Sequence, residues 1–127
     1  MVKILLVTLF LTFSITCIAD CKRWEYGSLL TTVTSNGKKP EDEKFDSVTV
    51  WRSPAGLTVW SNNKLLSSDS TDKSLKDYFS VKSLDPINIL NSLGNLGWES
   101  YGFEIPKFSG NEKSQNWQLK RCKLGAL

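Results

Sequence analysis

The stretch Asp85-Pro86-Ile87-Asn88-Ile89-Leu90-Asn91-Ser92-Leu93-Gly94-Asn95-Leu96-Gly97-Trp98-Glu99 decides the fold. Asp85 supplies an N-cap acceptor, and Pro86 fits the first helical position, where its missing N–H costs nothing. Ile87, Leu90 and Leu93 then follow helical spacing, with Ile89 and Leu96 on the flank. Gly97 suits the left-handed residue that ends a helix, because glycine reaches that conformation without penalty. Trp98 can fold back over the helix end as GWESYGFEI (97–105) begins a strand, with Tyr101, Phe103 and Ile105 on one face. Pro106 closes that strand, Ser109-Gly110-Asn111 turns the chain, and QNWQLKRC (115–122) makes the last one.

Working backward, WEYGSLLTTVT (24–34) is rich in aromatic and β-branched residues and reads as a strand. A turn at Ser35-Asn36-Gly37 and a charged loop, KKPEDEKFD (38–46), follow. SVTVW (47–51) and LTVW (57–60) flank RSPAG, which predicts a β-hairpin pairing Trp51 near Thr58 and Trp60 near Thr49. One hairpin face then carries Val48, Val50, Leu57 and Val59, expected to be buried. The other carries Trp51 and Trp60, read either as a ligand surface or as packed beneath the polar stretch SNNKLLSSDSTDKS (61–74), itself expected to be a long loop. Residues 75–83 fit both a helical turn and an alternating strand.

Trp24-Glu25-Tyr26 in an early strand, the run Leu90, Asn91, Leu93, Gly94, Gly97, Trp98, Glu99, and Lys120-Arg121 at the end of the last strand together resemble the bacterial family called domain of unknown function 4177. The resemblance covers about half of the chain beyond residue 19 and implies a short helix joining strands of a small sheet. Residues 31–83 would be an insertion relative to that pattern. The family name carries no activity, so it implies neither a reaction nor a cofactor.

Residues 1–19, MVKILLVTLFLTFSITCIA, combine Lys3, an apolar run too short and too hydroxyl-rich for a membrane span, and small residues before Asp20. They read as a secretory signal peptide, which leaves residues 20–127 as one exported domain, periplasmic or secreted. An exported chain would then hold two cysteines, Cys21 and Cys122, expected to form a disulfide. Lipoprotein anchoring through Cys17 or Cys21 is the weaker alternative, because Ser14-Ile15-Thr16 and Ile18-Ala19-Asp20 suit acylation processing poorly.

The net charge of +3 from 16 basic and 13 acidic residues is too mild for a nucleic-acid binder. The chain contains no histidine, which removes Ser-His-Asp and Cys-His catalysis and histidine metal sites. Ser70-Thr71-Asp72-Lys73 matches a serine–lysine spacing, but it sits in a Ser/Asp-rich stretch without the motifs that complete such sites. No phosphate-binding glycine loop occurs, and no cofactor or metal is implied.

These readings predict an α+β fold, a small, mostly antiparallel sheet with one principal helix packed on it. Trp24, Trp98 and Trp117 are expected in its core. A first strand, a crossover through the helix and a parallel strand at Trp98 leave room between them for the last strand. With Cys21 facing Cys122, Trp24 would meet Leu119 and Tyr26 would meet Trp117. Lys22, Arg23, Lys120, Arg121 and Lys123 would gather at one end of the sheet, a candidate contact for anionic headgroups. The expected role is a non-catalytic binding module for a protein or glycan of the cell envelope. The alternatives are an envelope-associated inhibitor or immunity-type protein and, behind both, a carboxylate-based hydrolase.

Overall fold

The computed structural model describes residues 21–35, 45–106 and 108–123; the expected signal peptide, with Cys17, lies outside them. The elements are β1 (Trp24–Ser35), β2 (Phe45–Ser53), β3 (Gly56–Ser61), β4 (Lys64–Ser68), α1 (Leu75–Phe79), α2 (Pro86–Asn95), β5 (Glu99–Glu104), β6 (Phe108–Ser109) and β7 (Glu112–Cys122). One antiparallel sheet runs in the order β4-β3-β2-β1-β7-β5, and β6 also pairs with β7. β7 lies between β1 and β5, the expected arrangement for the last strand.

The α+β assignment with one principal helix is overturned: strands dominate, and the two helices are only five and ten residues long. The polar stretch expected to be a loop supplies the difference. Asn62-Asn63 forms a tight hairpin turn, with Asn62 at φ 51° in the left-handed region that asparagine tolerates. The Asn62 Oδ1 accepts the Ser47 N–H at 3.0 Å, and Lys64–Ser68 then pairs as an edge strand. Residues 75–79 take the helical alternative. Ser74 caps them, and Leu75 and Phe79, one turn apart, are as buried as Ile89 and Leu93 of α2. The core therefore takes equal parts from both helices.

The end of α2 follows the expected chemistry. The Asp85 side chain accepts the Ile87 N–H at 2.9 Å. At the other end Trp98 N–H donates to Leu93 O (3.1 Å) and Gly97 N–H to Gly94 O (3.0 Å), the paired bonds of a Schellman motif. Gly97 has φ +89°. A Cβ there would lie 3.6 Å from the nearest carbons of Arg121, an ordinary contact, so a substitution is penalised by conformation and not by space. Gly97→Val is expected to lower stability by about 1–3 kcal/mol; thermal melts read this, and an unchanged Tm would refute the helix-end assignment. The buried stripe of α2 is Ile89 and Leu93 with Leu90 beside them, whereas Ile87 is exposed, so the expected stripe is rotated toward Ile89.

The hairpin register is as expected, Trp51 opposite Thr58 and Trp60 opposite Thr49, but the buried face is the reverse. Trp51, Trp60, Thr49 and Thr58 are buried, while Val48 and Leu57 on the other face are exposed. The reason is volume: both helices lie over the tryptophan face, where two indoles fill the space between short helices and sheet. Trp51 meets Trp98 at 5.2 Å between ring centroids, and Trp60 meets Phe79 at 5.5 Å. The Trp60 indole N–H donates to Lys73 O at 3.0 Å, which satisfies its one buried polar atom. Gly27 of β1 makes room for this layer: a Cβ there would come within 2.8 Å of the Trp51 ring and 2.9 Å of the Arg52 carbonyl oxygen.

The β1–β7 register also differs from expectation. Trp24 pairs with Cys122 and Tyr26 with Lys120, a shift of three residues from the register in which Cys21 faced Cys122. An odd shift exchanges faces. Leu29, in the middle of a twelve-residue strand, sits opposite Trp117 and Trp51 in the core, so Trp24 and Tyr26 must point to the uncovered face. Trp98 is buried and Trp117 half-buried, but Trp24 is exposed and is not a core residue.

Candidate functional site

The disulfide Cys21–Cys122 forms, with Cα atoms 5.7 Å apart. It is not made by directly opposed strand residues. The chain bends at Lys22, before β1 begins, and this folds Cys21 back onto Cys122. The bridge thus ties the start of β1 to the end of β7, and the Lys123 N–H donates to Arg23 O at 2.8 Å beside it.

Of the candidate site residues, Trp51 and Trp60 offer no open ligand surface. They are 3% and 0% exposed, sealed beneath Phe79, Tyr78 and Trp98. The five cations do come to one end of the sheet, though not as one uniform patch. Arg121 lies on the helix-covered side, where its Nε and Nη2 donate to Glu25 Oε2 at 3.0 and 2.8 Å. Its guanidinium stacks over the Trp98 ring at 4.5 Å. Lys120, on the uncovered side, lies 3.4 Å from Glu99 and 4.3 Å from the Trp24 ring centroid. Two of the five cations are therefore matched by carboxylates, which leaves Lys22, Arg23 and Lys123 exposed at the sheet end.

A feature that sequence reasoning missed stands on the uncovered side, beside Lys120. Trp24, Tyr26 and Tyr101 are 38%, 58% and 52% exposed and share the uncovered face. Tyr26 and Tyr101 meet edge to face at 6.1 Å. Tyr101 reaches this face because of a bulge between Ser100 and Gly102, which inserts it as an extra residue and breaks the alternation with Phe103. Phe103 consequently stacks on Trp117 on the opposite side, at 5.3 Å. The parity of β1 was the available signal: in an unbulged strand Trp24 and Tyr26 cannot share a face with Leu29 and Thr31.

On the covered side, a cleft of about 300 Å³ opens among Glu25, Trp51, Phe79, Leu93, Trp98 and Arg121. Ser53 and Tyr78 add polar groups to its lining, and its charged residues, Glu25 and Arg121, are already joined to each other. Among the described residues, no three His, Cys, Asp or Glu side chains cluster closely enough to hold a metal ion, and no helix is long and apolar enough to cross a membrane. Compared with protein-family models, curated proteins and solved structures, the chain matches none of them.

Proposed function

We propose that this protein is an exported, non-catalytic binding module of the bacterial cell envelope whose contact surface is the aromatic group Trp24, Tyr26 and Tyr101. The observation that carries this reading is their exposure on an uncovered sheet face, beside Lys120, whereas Trp51, Trp60, Phe79 and Trp98 pack inside. Aromatic side chains in the open are costly to hydrate and lose little conformational entropy when a partner covers them. Chemistry points the same way: the chain holds no histidine, and Cys21 and Cys122 are bonded to each other. Export accounts for both the signal-like residues 1–19 and the disulfide, which persists in oxidising compartments. The resemblance to domain of unknown function 4177 belongs to this proposal as its account of ancestry, carried by the segment 90–99 that caps and closes α2.

The test has two readouts. Exported protein is expected to begin at Asp20, and it is expected to be retained on envelope fractions of a bacterial host. A Tyr26→Ser/Tyr101→Ser variant should lose retention while keeping its melting temperature within a few degrees, since both rings are solvent-exposed. Undiminished retention of that variant would overturn the surface assignment, and an intact residue 1–19 segment on protein confined to the cytoplasm would overturn export.

A further inference from the structure

We infer that two adjoining cavities on the helix-covered side of the sheet form one site for a small amphiphilic anion, an aliphatic chain ending in a carboxylate. This site lies across the sheet from Trp24, Tyr26 and Tyr101 and goes beyond the reading above. The first cavity is the cleft of about 300 Å³ bordered by Trp51, Phe79, Leu93 and Trp98. The second, of about 330 Å³, lies at the sheet end, with Cys122 and Lys123 among its walls. Glu25, Leu96 and Arg121 line both, so the two cavities meet along that shared wall.

Register brings a further cation to the same end. The Lys123 N–H bond to Arg23 O carries the β1–β7 ladder one step beyond Trp24–Cys122, so Arg23 lies opposite Lys123. Because side chains alternate, both share the side of Glu25 and Arg121. Arg121 is already engaged: Nε and Nη2 bond to Glu25, Nη1 donates to Leu96 O at 3.4 Å, and the guanidinium lies over Trp98. It neutralises Glu25, whereas Arg23 and Lys123 have no carboxylate partner among the described residues. Like charges directly opposed across two strands repel each other, and an anion between them removes that cost. Small-ligand sites have this build, a concave and largely apolar body with a few polar groups that fix one end of the ligand. The chain of the ligand lies along Leu93 and the two indoles of the cleft, and its head meets Arg23 and Lys123 in charge-assisted hydrogen bonds.

The experiment titrates decanoate, below the concentration at which it forms micelles, into the full-length, disulfide-bonded protein, read by calorimetry and tryptophan emission. Saturable binding with a change in emission is expected, since Trp51 and Trp98 border the cleft. Affinity should rise about four-fold per methylene from hexanoate to decanoate and fall at high salt. The variant R23Q/K123Q is expected to bind decanoate about 10-fold more weakly, with no loss of melting temperature because both side chains are exposed. Leu96→Glu places a carboxylate on the shared wall at an exposed position, and it should abolish binding while the fold is kept. No saturable binding, equal affinity for decanol and decanoate, or acetate bound as tightly as decanoate would each overturn the inference. So would binding that survives Leu96→Glu, the outcome expected if the apolar residues 1–19 take up the chain instead. Tyr26→Ser/Tyr101→Ser should bind decanoate as the parent does, while its envelope retention tests the other face, so the two readings fail separately.

Discussion

Trp60→Ala is expected to destabilise the protein by about 3–5 kcal/mol. The indole is fully buried, touches Tyr78 and Phe79 of α1, and bonds its N–H to Lys73 O immediately before the Ser74 cap. Alanine would remove the contacts that hold α1 on the sheet and leave the Lys73 carbonyl without its donor. A domain of this size has only about 5–15 kcal/mol of stability in all, so combining it with Trp51→Ala, the neighbouring indole, is expected to abolish folding at ordinary temperatures. Urea unfolding of the single variant measures the effect. Val48→Ala on the opposite hairpin face serves as the control, with an expected change of about 0.5 kcal/mol or less. Equal losses at Trp60 and Val48 would mean that the face assignment is wrong.

The bare sequence expects the valine face of this hairpin to be buried and leaves the tryptophan face open between ligand surface and packing; the structure covers the tryptophan face. Alternation along a strand says which residues share a face; it does not say which face is covered. The hairpin pairing of Trp51 with Thr58 was legible, because the turn sets the register. The covered face depended on α1, and α1 is only five residues long, beneath the length at which periodicity separates a helical turn from a strand. Where chemistry is local, reading succeeded: Asp85, Pro86 and Gly97 mark the ends of α2 through side-chain acceptors, a missing donor and a positive φ, all properties of single residues.

The candidate site was lost for a related reason. The expected β1–β7 register sorted apolar from polar residues over five positions at the strand ends, and Trp24 and Tyr26 looked like core. The actual strand continues to Ser35, and its middle decides: Leu29 against Trp51 on one side and Trp117 on the other. Tyr101 was hidden differently, since a bulge breaks the alternation from which its face would have been read. The five cations were expected at one end and are found there, but the split between paired and unpaired ones depends on Glu25 and Glu99, which only the folded geometry brings close.

The disulfide leads to the second large prediction. Cys21→Ser/Cys122→Ser is expected to lower stability by about 2–5 kcal/mol, with the chain-entropy model near 4.7 kcal/mol for a loop of about 100 residues; the two cysteines are 101 residues apart in sequence. The location of the bridge indicates that this loss arises mostly in the unfolded chain. Cys21 lies outside β1, beyond a bend, and the ladder from Trp24–Cys122 to Thr34–Glu112 makes its hydrogen bonds without help from the sulfurs. The serine variant should therefore keep the same far- and near-ultraviolet circular dichroism at low temperature, while its unfolding midpoint in urea falls. Mass spectrometry of non-reduced peptides from the exported protein provides the prior check. Two free thiols there, or a serine variant as stable as the parent, would remove the bridge from any account of how this sheet end is held.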